Sequence, residues 1–317
     1  MIQKISSLFS ANEILQKSSV SFLLKITGSL LGYVFLLLVT RNIGASSWGI
    51  FVLFLSVLNI SSIFARLGID TLTLKLVSSS NYILNQVKSI YFSSVRLVLF
   101  FSFIVSVILY FASQNISYFL FLDSSFSFII KWISFILPLF SLTCVNENIF
   151  RGLKMIKEFT FFQSTSKMLF SVIFFFIICY GLEVINSQIA IVSYISALIV
   201  IFLVSTIIVL KTIKTGNFLR FVNSNKMLKQ SIPMMMSSSV LLLMSWADSL
   251  MIGGFIGEYE VGIYNVAVKV ALLTSFTLTA VNSISAAKIS ELYNNDKISE
   301  FKNIVIQTTK TIFYSSL

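Results

Sequence analysis

The sequence predicts an all-α, polytopic transmembrane helical bundle built of two like lobes. Three observations predict it. Hydrophobic residues make up 56% of the 317 residues, charged residues 11%, and the mean hydropathy is +0.93; that is too little charge to wet the surface of a soluble domain, which carries about 25%. Apolar runs near 20 residues recur along the whole chain, long enough for helices to cross a bilayer and too continuous for the alternating strands of a barrel. A glycine-marked pattern recurs late in the chain, at the equivalent place in a second set of runs.

Taken in order, the apolar windows place span one at Val20–Val39, span two at Gly49–Leu74 and span three at Tyr91–Ala112. Span four covers Phe126–Phe150, span five Phe161–Tyr180 and span six Ile189–Leu210. Span seven covers Ile232–Ile252, span eight Gly262–Ala287, and span nine starts near Ile304. Span one is longer than the apolar core of a cleaved signal peptide. The stretch Ile2–Gln16 before it is expected to be an interfacial helix.

Basic residues fix the expected orientation. Lys4 and Lys17 precede span one, and Lys75, Lys88 and Arg96 surround the two–three loop. Arg151, Lys154, Lys157 and Lys167 surround the four–five loop, and Lys211, Lys214, Arg220, Lys226 and Lys229 fill the six–seven loop. With Lys288, Lys297, Lys302 and Lys310, 18 of the 23 basic residues fall on one side. The other side has Arg41 and Lys131 with the acids Asp123, Glu183, Glu258 and Glu260. Positive loops stay cytoplasmic, so the N-terminus is expected inside. The net charge of +11 is thereby explained by membrane anchoring, with no nucleic-acid partner.

The repeat pairs Ile43-Gly44 through Trp48-Gly49-Ile50-Phe51 with Ile256-Gly257 through Val261-Gly262-Ile263-Tyr264, at a constant offset of 213. The same offset pairs Val57 with Val270, Ser62 with Ser275 and Lys75 with Lys288. Six spans separate equivalent points, so the copies are parallel. Residues 1–214 are then a six-helix lobe and residues 215–317 a partial second lobe of about three helices. On this register the second lobe is truncated, since Leu317 falls opposite Ile104, inside span three.

The stretch Leu24-Lys25-Ile26-Thr27-Gly28 through Arg41-Asn42-Ile43-Gly44, with Trp48-Gly49-Ile50-Phe51 and Leu67-Gly68-Ile69-Asp70, resembles the N-terminal signature of polysaccharide flippases. Arg151-Gly152-Leu153-Lys154 is similar to that family's cytoplasmic turn. These are the O-antigen (Wzx-type) and capsule-unit exporters of the multidrug/oligosaccharidyl-lipid/polysaccharide superfamily. The resemblance implies a MATE-like two-lobe fold in the bacterial inner membrane. It implies alternating access that moves a polyprenyl-diphosphate-linked oligosaccharide outward, without cofactor or catalysis. Membrane lipids, and other membrane proteins of polysaccharide assembly, are the implied partners. The chain departs from the family in length, with nine spans read here where members have twelve or more.

Ionisable groups inside spans cost about 2.5–3.5 kcal/mol each on insertion scales, so they face a cavity or a partner. Lys25, Arg66 and Lys269 are the expected cationic cavity for an anionic diphosphate. They also fall on spans one, two and eight, where the resemblance implies substrate-binding bases. Asp70 and Asp248 are the ion-coupling candidates, and Glu147 lies near the inner end of span four. Bland readings compete: Arg66 with Asp70 as a neutral pair, Asp248 with Lys269 as another, and Lys25 reaching back to headgroups.

Other functions fit less well. A multidrug or cation antiporter of the same superfamily favours an acidic cavity, whereas bases here match or exceed acids. A polymerase or ligase needs a catalytic constellation, yet the chain has no His and no carboxylate cluster on a large loop. Cys144 and Cys179 fall near opposite faces of the membrane and are read as small buried hydrophobes rather than metal ligands or a disulfide.

Overall fold

The computed structural model describes residues 2–79, 84–121, 126–181, 186–214, 222–272 and 298–316. Its elements are helical: α1 (Ile2–Asn42), α2 (Ala45–Arg66), α3 (Ile69–Ser79), α4 (Leu84–Phe111), α5 (Ser113–Phe121) and α6 (Ser127–Gly152). Then come α7 (Ile156–Thr160), α8 (Ser166–Phe176), α9 (Ile189–Thr212), α10 (Ser224–Phe255), α11 (258–272) and α12 (Ile298–Ser316). A π-helical turn, Phe161–Thr165, joins α7 to α8, and a second, Ile177–Gly181, ends that rod. Among the described residues seven helices are long and apolar enough to cross a membrane, matching spans one to seven. Span eight is described only as far as residue 272, so Ser275 and Lys288 lie outside the described residues. The α12 helix carries Glu300, Lys302 and Lys310 and is not among the seven.

Packing divides the chain into two units, Met1–Gly262 and Ile263–Leu317. The first unit holds α1–α10 and the first turn of α11; the second holds the rest of α11 together with α12. Within the first unit α6 is central, packing against α2, α3, α4 and α9, while α8 packs on α9 and α1. An aromatic cluster fills the space between α1, α2, α8 and α9. Phe35 meets Trp48, Phe51 and Phe175 edge-on at 6.2, 5.4 and 6.0 Å, and Phe51 meets Tyr194 at 5.6 Å. Edge-to-face pairs at this spacing add about 0.5–1.5 kcal/mol beyond simple burial. A polar seam ties α4, α6 and α9 together. Tyr91 Oη donates to Asn146 Oδ1 at 3.1 Å, and Asn146 Nδ2 donates to Ser205 and Thr206, both at 3.0 Å. In hydrocarbon such hydrogen bonds substitute for the hydrophobic force that lipid cannot supply.

The stretch Ile2–Gln16 is helical and continuous with span one in α1. The chain departs from the expected spans at two places. Span two is two helices, broken where Leu67 and Gly68 take φ of 46° and 74°. Spans three and four are separated by α5, which the apolar windows miss because its nine residues are too few to cross.

Gly68 has a packing reason as well as a conformational one. A side chain there would meet Ser231 O, and would lie 2.7 Å from Met235 N, so α10 crosses directly over it. The repeat glycines Gly49 and Gly262 do the same for each other. A Cβ on Gly49 would lie 2.8 Å from Glu258 C and 3.0 Å from Gly262 N, and one on Gly262 would meet Ala45 O. The start of α2 and the start of α11 therefore touch backbone to backbone, as only small residues allow. The sequence reading pairs these two glycines across its expected repeat, and in the fold their backbones meet.

Candidate functional site

Four ionisable side chains of the first unit, Arg66, Asp70, Glu147 and Lys167, come together near the C-terminal end of α6. Arg66, the last residue of α2, reaches across the Leu67–Gly68 break to Asp70, with Nη1 2.6 Å from Oδ2. Its Nε donates to Ser62 O at 3.1 Å and its Nη2 to Ser62 Oγ at 2.9 Å. The break matters here, since on a straight helix both residues would lie on one continuous face. The turn of left-handed backbone instead places Asp70 at the N-terminus of α3, where the helix dipole favours a carboxylate.

A second pair is buried to a similar degree. Lys167 Nζ is 2.9 Å from Glu147 Oε1, and the two side chains are only 15% and 8% exposed. The Lys167 ammonium also sits 5.5 Å from the centre of the Phe140 ring, a cation–π distance. Tyr194 and Cys144 are within Coulombic range of Lys167, and Arg66 is within range of Glu147. The result is a neutral quartet of two bases and two acids, drawn from α2, α3, α6 and α8.

Lys167 is a correction to the sequence reading, which places it with the cytoplasmic loop bases. Span five begins at Ile156, not Phe161, so Lys167 lies well inside the helical rod. The π turn just before it explains the inward aim. One extra residue per turn rotates everything after it by about 100° relative to a regular helix. Helix α1 holds this turn in place: Thr165 Oγ1 donates to Leu24 O at 2.7 Å, and a Cβ on Gly28 would be 3.0 Å from the Ser164 carbonyl. The cue available in the sequence was a base and an acid, Lys167 and Glu147, inside consecutive apolar runs.

The five expected site residues fall in different local settings. Arg66 and Asp70 pair with each other. Lys25 is exposed, one residue from the Leu24 contact with Thr165. Asp248 is exposed on α10, its Oδ1 accepting from Ser249 N at 2.9 Å. Lys269 is half-buried and belongs to the second unit. A cleft of about 620 Å³ between α4, α6 and α9 is lined mainly by apolar side chains, with Lys131 over the Tyr110 ring at 5.9 Å. Its wall of Phe128, Trp132 and Phe135 suits acyl chains rather than sugars.

A model of the family described as polysaccharide biosynthesis protein matches residues 14–286. The chain belongs to that family. The match spans the charged quartet, Lys25, Asp248 and Lys269, so every candidate residue lies within family sequence. No protein with a curated description matches the sequence. Among solved structures, the MATE multidrug transporter DinF-BH is similar in fold. The TM-score is 0.58 at 12% identity, over 93% of this chain and 68% of that one. At that identity the likeness is one of fold. With its seven long apolar helices, this polysaccharide biosynthesis protein is a multi-pass membrane protein.

Proposed function

We propose that this polysaccharide biosynthesis protein flips a polyprenyl-diphosphate-linked oligosaccharide, an O-antigen, capsule or exopolysaccharide unit, across the bacterial inner membrane. Its N-terminus is cytoplasmic, residues 1–214 are its first lobe and 215–317 belong to the second, and transport runs by alternating access. Lys25, Arg66 and Lys269 supply positive charge to the diphosphate, and Asp70 and Asp248 are where a coupling cation acts. The observation that carries the reading is the family match over residues 14–286. The bases inside apolar spans support it, because a diphosphate crossing hydrocarbon needs cations to offset its desolvation.

The test is reconstitution of the complete protein in vesicles with a fluorescent polyprenyl-diphosphate sugar. Protein-dependent loss of the label from the inner leaflet is expected. Lys25→Ala, Arg66→Ala and Lys269→Ala should each slow flipping about tenfold or more, the loss of one charge-assisted contact being worth about 1.5–3 kcal/mol. Transport of a cationic dye with no movement of the lipid-linked sugar would overturn the reading in favour of a multidrug antiporter.

A further inference from the structure

We propose that Glu147 and Lys167 form a proton-operated latch, in which a substrate diphosphate takes Lys167 from Glu147 as Glu147 takes up one proton. This rests on the reading of a lipid-linked diphosphate as cargo.

Geometry carries the proposal. The pair is buried against the Phe140 ring in the centre of the first unit, and the π turn Phe161–Thr165 aims Lys167 inward. Arg66 is clasped three times, by Asp70 and twice by Ser62, all within its own stretch of chain. Lys167 instead reaches across to another helix for a single carboxylate. An ammonium is a compact charge that exchanges partners more readily than a forked guanidinium. Lys167 is therefore the quartet's exchangeable cation.

If Lys167 turned to a phosphate oxygen while Glu147 stayed ionised, a buried carboxylate would be left uncompensated. The other titratable groups do not relieve it. Cys144 on α6 and Tyr194 on α9 have no cationic form to offer, and Arg66, within Coulombic range, is held by Asp70 on α3. A proton from water does relieve it. It bonds to a Glu147 oxygen to give the neutral acid. The Lys167 ammonium keeps its three protons and transfers one hydrogen bond from carboxylate to phosphate. Release of the substrate reverses both changes, so substrate binding and proton uptake are linked one to one.

The experiment measures binding of a polyprenyl diphosphate carrying one N-acetylglucosamine to the complete protein in nanodiscs. This diester keeps its charge across the range, and wild-type affinity should rise by up to about tenfold per pH unit as pH falls from about 8 to about 5. Glu147→Gln, which imitates the protonated acid, should bind at the high end with the affinity wild type reaches at the low end, and with a flat profile. Lys167→Gln should weaken binding about tenfold or more at every pH. Glu147→Gln combined with Lys167→Gln leaves no buried charge unpaired, so it keeps the fold, and it should bind weakly with a flat profile. A flat wild-type profile, or wild-type affinity in the double variant, overturns the latch. If binding depends on Lys25 and Arg66 but is indifferent to residues 147 and 167, only the latch falls. If the wild type binds nothing at any pH, the assignment of cargo falls with it.

Discussion

Arg66 illustrates what one side chain settles in a membrane bundle. Its guanidinium is satisfied by Asp70 and Ser62 at 2.6–3.1 Å, so its burial carries no unpaired charge. Removing either partner alone strands the other, which costs about 3–5 kcal/mol when such a pair is buried. Asp70→Ala should therefore lower the thermal midpoint of the detergent-solubilised protein sharply. The combined Arg66→Met and Asp70→Leu variant should recover most of the loss, because a neutral apolar pair has no desolvation penalty to repay. Size-exclusion after a heating series measures both. Equal damage in the single and double variants would show that the pair contributes more than mutual neutralisation. The same residues were legible in sequence as neighbours four apart, but their partner Ser62 and the helix break between them were not. An i,i+4 spacing constrains distance along an unbroken helix only, and Leu67–Gly68 breaks it.

At the scale of an element, two devices decide where charges point and how closely helices approach. The first is the π turn before Lys167. Deleting one residue from Phe161–Thr165 should restore regular helix, swing Lys167 by about 100° away from Glu147 and abolish transport while the protein still inserts. Substituting Gln163 within the turn by Ala, which keeps the residue count, should leave transport intact. The second device is the Gly49–Gly262 crossing. Gly49→Val places branched carbon where the Glu258 carbonyl and the Gly262 nitrogen already lie, so α2 and the start of α11 must separate. Overpacking of this kind costs about 1–3 kcal/mol. A lowered thermal midpoint with reduced transport is expected, and Gly254→Val, against the Leu120 carbonyl, gives the comparison for tight packing elsewhere on α10.

For the whole molecule the firm expectation is topology. Cysteines introduced at Lys154 and Lys226, in a background where Cys144 and Cys179 are Ala, should resist a membrane-impermeant maleimide in intact cells. One at Tyr259, 52% exposed in the first turn of α11, should react. Labelling at position 154 or 226 from outside would invert the orientation that the basic residues predict. Lys167 no longer counts toward that orientation, yet the remaining loop bases keep the same bias, so the prediction survives its removal.

Composition and hydropathy alone determined the class, the seven principal spans and their order, because a bilayer accepts few backbone solutions and each demands about 20 apolar residues. The motifs around Gly44, Trp48 and Gly68 pointed to the family: Gly44 and Gly68 sit where a positive φ selects glycine, and Trp48 packs on Phe35 and Phe51. Tertiary structure decided the rest. It paired Lys167 with Glu147, set Gly49 against Gly262 and joined Tyr91, Asn146 and Ser205 into one seam. Partners so far apart in sequence leave no local periodicity. Their meeting depends on how each helix is rotated about its own axis, and a single π turn or left-handed residue resets that rotation for everything that follows it.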